Sequence, residues 1–183
     1  MSSVILDAME SADHISNVIN HITKEKAEEI FHYKLKDMKI LPCRSCGACG
    51  FKSPGKCVIK DDAHEILRAI ANCNHIIMLT PIKFGGHSSC LKKVVDKFMN
   101  LSLPTYTVKK GHLLHPARYD VKNIIGIGVY EKNSKEQEES FKRLIENNAF
   151  NLQYPFKALT LESQGNIEEI KVKIDHLFME VYS

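Results

Sequence analysis

The sequence predicts an α/β fold, a five-stranded parallel sheet with helices on both faces, and three observations carry that expectation. Strand-like and helix-like segments alternate five times along the chain. Three strand segments, Val4–Leu6, His75–Thr80 and Asn123–Val129, are continuous apolar runs, the pattern of strands covered on both faces. With 183 residues, 44% hydrophobic and 26% charged, the chain is long enough for one sizeable core, so a single domain over 1–183 is expected.

The elements follow in order. After Val4–Leu6, Ile15, Val18, Ile19 and Ile22 share one helical face, with Asp13 as its predicted N-cap. Phe31, Tyr33 and Leu35 alternate with His32, Lys34 and Lys36, and a period of two suits an edge strand. Residues 41–60 read as an irregular Cys/Gly/Pro-rich loop. Asp62-Ala63-His64-Glu65 has the form of a capping box opening a helix with Ile66, Leu67 and Ile70 inward. After the second apolar strand, Ser88 or Ser89 starts a helix with Leu91, Val94, Val95 and Phe98 on one face. Residues 100–121 show no period and read as a surface excursion. Ser134 and Gln137 form a second capping box, ahead of Phe141, Leu144 and Ile145. A strand over 156–161 precedes a last helix with Ile167, Ile170, Ile174, Leu177 and Val181 in one stripe. Buried first, third and fourth strands and an exposed second one predict the flavodoxin-like order 2-1-3-4-5 in a three-layer sandwich.

Composition excludes several classes of function. A formal charge of +3 without a dense Lys/Arg stripe argues against nucleic acid as a partner. The apolar runs are too short to span a bilayer, and no basic, cleavable leader precedes the first strand. A cytoplasmic protein is expected, in which the six cysteines are thiols or metal ligands rather than disulfides. In such a sheet, ligands bind beyond the carboxyl ends of the strands where the strand order reverses. Loops 7–14, 80–88 and 129–134 reach that place, and the Cys-rich loop neighbours them.

Cys43, Cys46, Cys49 and Cys57 are spaced C-x2-C-x2-C-x7-C. Four thiolates on one short loop suit a [4Fe–4S] cluster or a four-cysteine zinc site, and equally a set of free or redox-active thiols. Cys73 and Cys90 sit at helix ends and read as buried thiols. The histidines show no ligand triplet. His87, at the expected pocket mouth, is a candidate ligand contact, with a solvated loop histidine as the alternative. The basic stretch Lys109–Arg118 is either a phosphate-receiving surface or a solvated loop.

Pro42-Cys43-x-x-Cys46-Gly47-x-Cys49, then Pro54-Gly55-Lys56-Cys57-Val58-Ile59-Lys60-Asp61-Asp62, resembles the NADPH-dependent FMN reductase and iron–sulfur flavoprotein group. Thr80-Pro81-Ile82-Lys83-Phe84-Gly85-Gly86, followed by Leu91-Lys92 and Val95-Asp96-Lys97, is similar to that group's flavin loop and next helix. The resemblance covers about residues 40–100. It implies FMN as cofactor, NADPH as electron donor, and a homodimer or homotetramer. Thr80, Pro81, Ile82, Lys83, Phe84, Gly85, Gly86 and His87 would line the ring, with backbone amides of Phe84 and Gly85 at its polar edge and Tyr130 on its other side. The cluster motif would be Cys43, Cys46, Cys49 and Cys57.

Two departures from the group stand out. Lys83 occupies a position where it usually carries Tyr or Trp, which places a cation by the ring. Its phosphate loop, of the form G-S-x-R, is here Asp7-Ala8-Met9-Glu10-Ser11-Ala12-Asp13-His14-Ile15-Ser16, with three acids and no glycine or arginine. Ser11, His14 and Ser16 are the donors left for a phosphate, so FMN affinity below the group's norm is expected. The expected function is flavin-dependent transfer of hydride or electrons to a small acceptor, such as a quinone, with no side chain needed as nucleophile or base. The competing expectations are a binding or assembly module that has lost flavin, and a thiol or metal redox sensor built on the Cys loop.

Overall fold

The computed structural model describes residues 1–10, 13–132 and 134–182, with Asp13 in backbone only. The main chain runs β1 (Ser2–Asp7), α1 (Asp13–Lys26), β2 (Glu29–Lys34), α2 (Ala48–Phe51), α3 (Ala63–Asn72), β3 (His75–Pro81) and α4 (Ser89–Val95). It continues through β4 (Thr107–Lys109), β5 (His112–Leu114), β6 (Asn123–Tyr130), α5 (Lys135–Leu152), β7 (Phe156–Glu162) and α6 (Ile167–Tyr182). The five main strands are all parallel, in the order β2-β1-β3-β6-β7. With the hairpin strands set aside, this is the expected 2-1-3-4-5 arrangement, and the fold is flavodoxin-like.

Burial follows the apolar runs. Val4, Leu6, Ile76, Met78 and Ile124 point to one face and meet Ile66, Ile70, Leu91, Val94, Phe141 and Ile145 from α3, α4 and α5. Ile5, Ile77, Leu79, Ile125 and Ile127 point to the other and meet Ile15, Ile19, Ile170, Ile174 and Phe178 from α1 and α6. Each such side chain removed from water contributes about 1.5–3 kcal/mol, and the central strands carry one on both faces.

Two local expectations are corrected. Asp62 does not cap α3: its carboxylate accepts from the Lys39 amide, while Asp61 takes the Ala63 amide at 3.2 Å. Asp61 does more besides, since it forms an ion pair with Lys97 in which both side chains are solvent-inaccessible. Within 100–121 the structure has a small antiparallel hairpin, β4–β5, turned by Lys110 and Gly111 at positive φ. Three-residue strands are too short to show a period. The Ser88 cap is present, with its Oγ accepting the Leu91 amide, and Ser134 Oγ likewise accepts from Gln137. The expected Asp13 cap lies outside the described side chains.

Candidate functional site

Because the strands are parallel, β1, β3, β6 and β7 all end on one rim, and the order reverses between β1 and β3. A hollow of about 180 Å³ lies there, lined by Met9, Pro81–Lys83, Val129–Lys132, Gln137 and Ser163. Two backbone bonds carry the ladder past the strand ends and set its floor: Ala8 N–H to Leu79 O (2.9 Å) and Ile82 N–H to Val129 O (2.8 Å).

The loop after β3 is a tight turn. Lys83 and Gly86 exchange backbone hydrogen bonds at 3.1 and 2.9 Å around Phe84 and Gly85, whose φ values are 51° and 75°. Successive positive φ values define this type of turn and favour glycine. A Cβ on Gly85 would stand 2.8 Å from Ser140 Cβ, so the turn lies flush on α5. Phe84 is left fully exposed at the tip. Thr80 pins the two ends of the loop, its buried hydroxyl accepting the Ser88 amide at 3.0 Å.

The end of β1 is built differently. Asp7 is 2% exposed; its Oδ1 accepts the Met9 N–H at 3.0 Å and its Oδ2 meets His32 Nε2 at 3.0 Å. Burial works against ionisation, but the hydrogen bonds from His32 and the Met9 amide outweigh it and hold the carboxyl below the usual range. Ser16 also favours the charged form from nearby, yet its buried hydroxyl forms no hydrogen bond of normal geometry among the described residues.

Of the residues singled out in the sequence, the structure gathers Pro81, Ile82, Lys83 and Tyr130 at the hollow. Ser16 lies beneath the end of β1 and His14 is exposed on α1. Thr80 anchors the loop from inside, while Phe84, Gly85 and Gly86 form its tip. Ser11 lies outside the described residues. His87 turns to α5 instead, with Nε2 paired to Asn148 Nδ2 at 3.0 Å and its ring edge-on to Phe141. Burial lowers its pKa to about 4. The basic stretch is largely engaged: Lys109 meets Gln153, His115 stacks beside Tyr106, and Arg118 donates to Ser102 O. Met9, Gln137, Ser163 and the Asp7–His32 pair were not legible beforehand, since they meet only once parallel register brings four strand ends together.

Cys43, Cys46, Cys49 and Cys57 line one cavity of about 380 Å³, together with Lys97 and Asn100. Gly47 at φ 67° turns the chain into α2, and Gly55 at φ 75° turns it back. Burial raises the Cys49 thiol, and repulsion from Cys57, Cys43 and Cys46 adds to it, so the four sulfurs share one electrostatic neighbourhood. Among the described residues no three His, Cys, Asp or Glu side chains are gathered as metal ligands. The donor set has the soft chemistry of an iron–sulfur or zinc site, and here the thiols share a cavity without converging.

For a flavin, the two ends of the rim site differ. The ring end fits: it offers an apolar wall (Pro81, Ile82, Val129), polar groups at its edge, and a loop whose backbone lies at the surface. A hollow of this size, below the roughly 300 Å³ of an enclosing ligand pocket, seats part of such a molecule. At the other end, the amides of Ala8 and Met9 are already bonded and the Asp7 carboxylate is buried beside them, while residues 11 and 12 of that loop lie outside the described residues.

Comparison with known proteins agrees with this layout. A family profile described as NADPH-dependent FMN reductase matches residues 9–113. An iron-sulfur flavoprotein of Methanocaldococcus jannaschii is 37% identical over 83 residues, 45% of this chain and 42% of that protein. An iron-sulfur flavoprotein of Methanosarcina thermophila is 26% identical over 100 residues, 55% of this chain and 51% of its own length. The chain therefore spans about half or less of these curated relatives. Among solved structures, an NAD(P)H:quinone oxidoreductase from Methanothermobacter marburgensis superposes with a TM-score of 0.72 at 11% identity, covering 96% of each chain. An FMN-dependent NADH-azoreductase from Bacillus anthracis, solved with FMN, gives 0.70 at 12% identity, covering 100% of this chain and 99% of that one. At such identities the likeness is one of fold.

Proposed function

The chain belongs to the NADPH-dependent FMN reductase family, and on that premise we propose that it is a flavin-dependent oxidoreductase working at the rim hollow. The observation that carries this is the hollow itself, placed where the strand order reverses and lined by the loops after β1, β3 and β6. The ring end of that hollow receives the flavin, with its apolar wall and polar edge. When bound, the flavin supplies the hydride and electron chemistry, from NADPH to a small acceptor such as a quinone. The chain's own residues bind and orient. Pro81, Ile82 and Val129 supply the apolar wall, backbone at Phe84 and Gly85 meets the polar edge, Lys83 brings a positive charge, and Tyr130 covers the opposite side. The unit of action is one domain over 1–183, in a cytoplasmic homodimer or homotetramer.

Titration with flavin, followed by NADPH oxidation monitored by absorbance, tests the proposal. Flavin fluorescence quenched by the protein and flavin-dependent NADPH consumption are expected. Neither effect at millimolar flavin would leave a flavin-free binding module in its place.

The cysteine spacing and the iron-sulfur flavoprotein relatives, rather than the present sulfur positions, motivate a second component, a [4Fe–4S] cluster that Cys43, Cys46, Cys49 and Cys57 would hold and that would supply single-electron chemistry. Iron and sulfide assays after anaerobic purification test it. A brown absorbance lost in Cys46→Ala supports the cluster, and bound zinc or neither metal nor sulfide removes it.

A further inference from the structure

We propose that the buried Asp61–Lys97 ion pair latches the four-cysteine loop to the turn after α4, and that Lys97 is thereby a positioning residue for a metal held by those thiolates. The inference rests on the cluster reading above and adds what holds the loop in place to receive the metal.

Its ground is where the loop begins and ends. Asp61 Oδ2 accepts the Leu41 N–H at 2.8 Å and its Oδ1 accepts the Ala63 N–H at 3.2 Å, so one carboxylate gathers both ends of the loop. The Lys97 ammonium donates to the same Oδ2, and both side chains are solvent-inaccessible. Lys97 comes from the turn that follows α4. Its carbonyl is fixed by the Asn100 N–H at 3.0 Å and by Asn100 Nδ2 at 2.6 Å. Lys97 and Asn100 also line the cavity of Cys43, Cys46, Cys49 and Cys57. The pair therefore joins the stem of the loop to the wall that faces its cysteines. Bonds between Lys39 and Asp62 tie the two stem segments to each other. His64 separately holds the Cys57 carbonyl at 2.9 Å, so the half of the loop carrying Cys43 and Cys49 depends most on the latch.

A buried ion pair gains little over an apolar pair of the same volume, but loss of one partner leaves the other charge unpaired and is strongly destabilising. Such a pair selects one arrangement of the chain. Among the described residues the thiols share the cavity without converging, so ligation needs a local shift of the loop. With the stem latched, that shift is all that binding must drive. With the stem free, binding must also order the loop, and metal affinity falls.

The experiment compares wild type, Lys97→Met and Lys97→Arg as full chains. In metal-free, reduced protein, a pulse of iodoacetamide read by mass spectrometry should label Cys43 and Cys49 at least about tenfold faster in Lys97→Met. The buried Cys73 should be unchanged and serves as the control for global opening. After anaerobic incubation with ferrous iron and sulfide, brown absorbance and bound iron should fall in that variant. Lys97→Arg, which keeps the charge and donors for Asp61, should restore both readouts. If Cys73 is labelled faster as well, the variant has unfolded and wild-type hydrogen exchange decides: the Leu41 and Ala63 amides should be protected together with those of 97–100. Exchange of those two amides at the rate of the loop between them would overturn the latch. Unchanged Cys43 and Cys49 labelling in a folded Lys97→Met overturns it, as does full retention of iron and sulfide by that variant. Wild type that takes up neither iron nor sulfide overturns the cluster reading, and the labelling rates then decide the latch alone.

Discussion

His75 lies 3% exposed at the start of β3, stacked on Tyr182 at 4.1 Å. Burial lowers its pKa to about 4, with the N-terminal charge adding to it. Its unfolded value is about 6.5, so between those two pH values the unfolded chain binds the proton more tightly. Folded stability is therefore full above about pH 6.5 and falls as the pH drops toward 4, by roughly 3 kcal/mol for this one group. Urea unfolding across that range should show a shallower pH slope for His75→Phe, which keeps the stacked ring; parallel slopes would refute the assignment. Lys83 poses a second question at this scale. A cation at the ring edge stabilises negative charge gained on reduction, so Lys83→Tyr should lower the potential of bound flavin. For a two-electron couple roughly 30 mV corresponds to about 1.4 kcal/mol. An unchanged potential would show that the ammonium points elsewhere. Asp7 was legible as an acid at the end of the first strand. Its partner His32 was not, because the two lie 25 positions apart and meet only through β1–β2 pairing.

The packing of α5 on β6 depends on two glycines. A Cβ on Gly126 would lie 2.5 Å from Ile145 Cγ1, and one on Gly128 2.7 Å from Phe141 Cε1. This close approach sets how far α5 stands from the sheet, and with it the seat of the Gly85 turn on Ser140. Gly126→Ala should destabilise by about 1–3 kcal/mol through overpacking. Combining it with Ile145→Ala should cost less than the sum of the two single changes, by about 0.5–3 kcal/mol, measured as a double-mutant cycle in urea. Strict additivity would mean the helix moves away instead. In the sequence these glycines read only as members of an apolar strand. Of the two expected capping boxes, Ser134 caps as its type dictates, as does Ser88 at the start of α4, but Asp62 is drawn to Lys39. A short polar side chain has several backbone donors in reach, and the fold chooses among them.

Over the whole molecule, large apolar side chains are exposed around the rim loop and the β4–β5 hairpin. Phe84 has full exposure, Val108 73%, Leu113 64% and Tyr106 63%. Apolar side chains left exposed on a loop tip and a hairpin are candidates for an association surface. A dimer or tetramer mass is the expected result of sedimentation velocity at micromolar protein, and Phe84→Ser with Leu113→Ser should shift it toward monomer. A wild-type chain sedimenting as a monomer at all accessible concentrations would remove the oligomer. No helix among the described residues is long and apolar enough to cross a membrane.

Hydrophobic periodicity alone determined the layered architecture, the strand order and the rim on which a ligand site must lie. These follow from the unbroken apolar runs of β1, β3 and β6 and the alternation of β2, which decide burial before any contact is known. The Cys spacing and the 80–86 segment likewise determined the family. Only the tertiary structure decided which of the marked residues face the hollow. Side chains adjacent in sequence, such as Lys83 and Phe84, diverge once a positive-φ turn sets their directions. It also decided the fate of the amides after β1, since Ala8 bonds to Leu79 of β3 and Met9 to the Asp7 carboxylate that His32 of β2 holds.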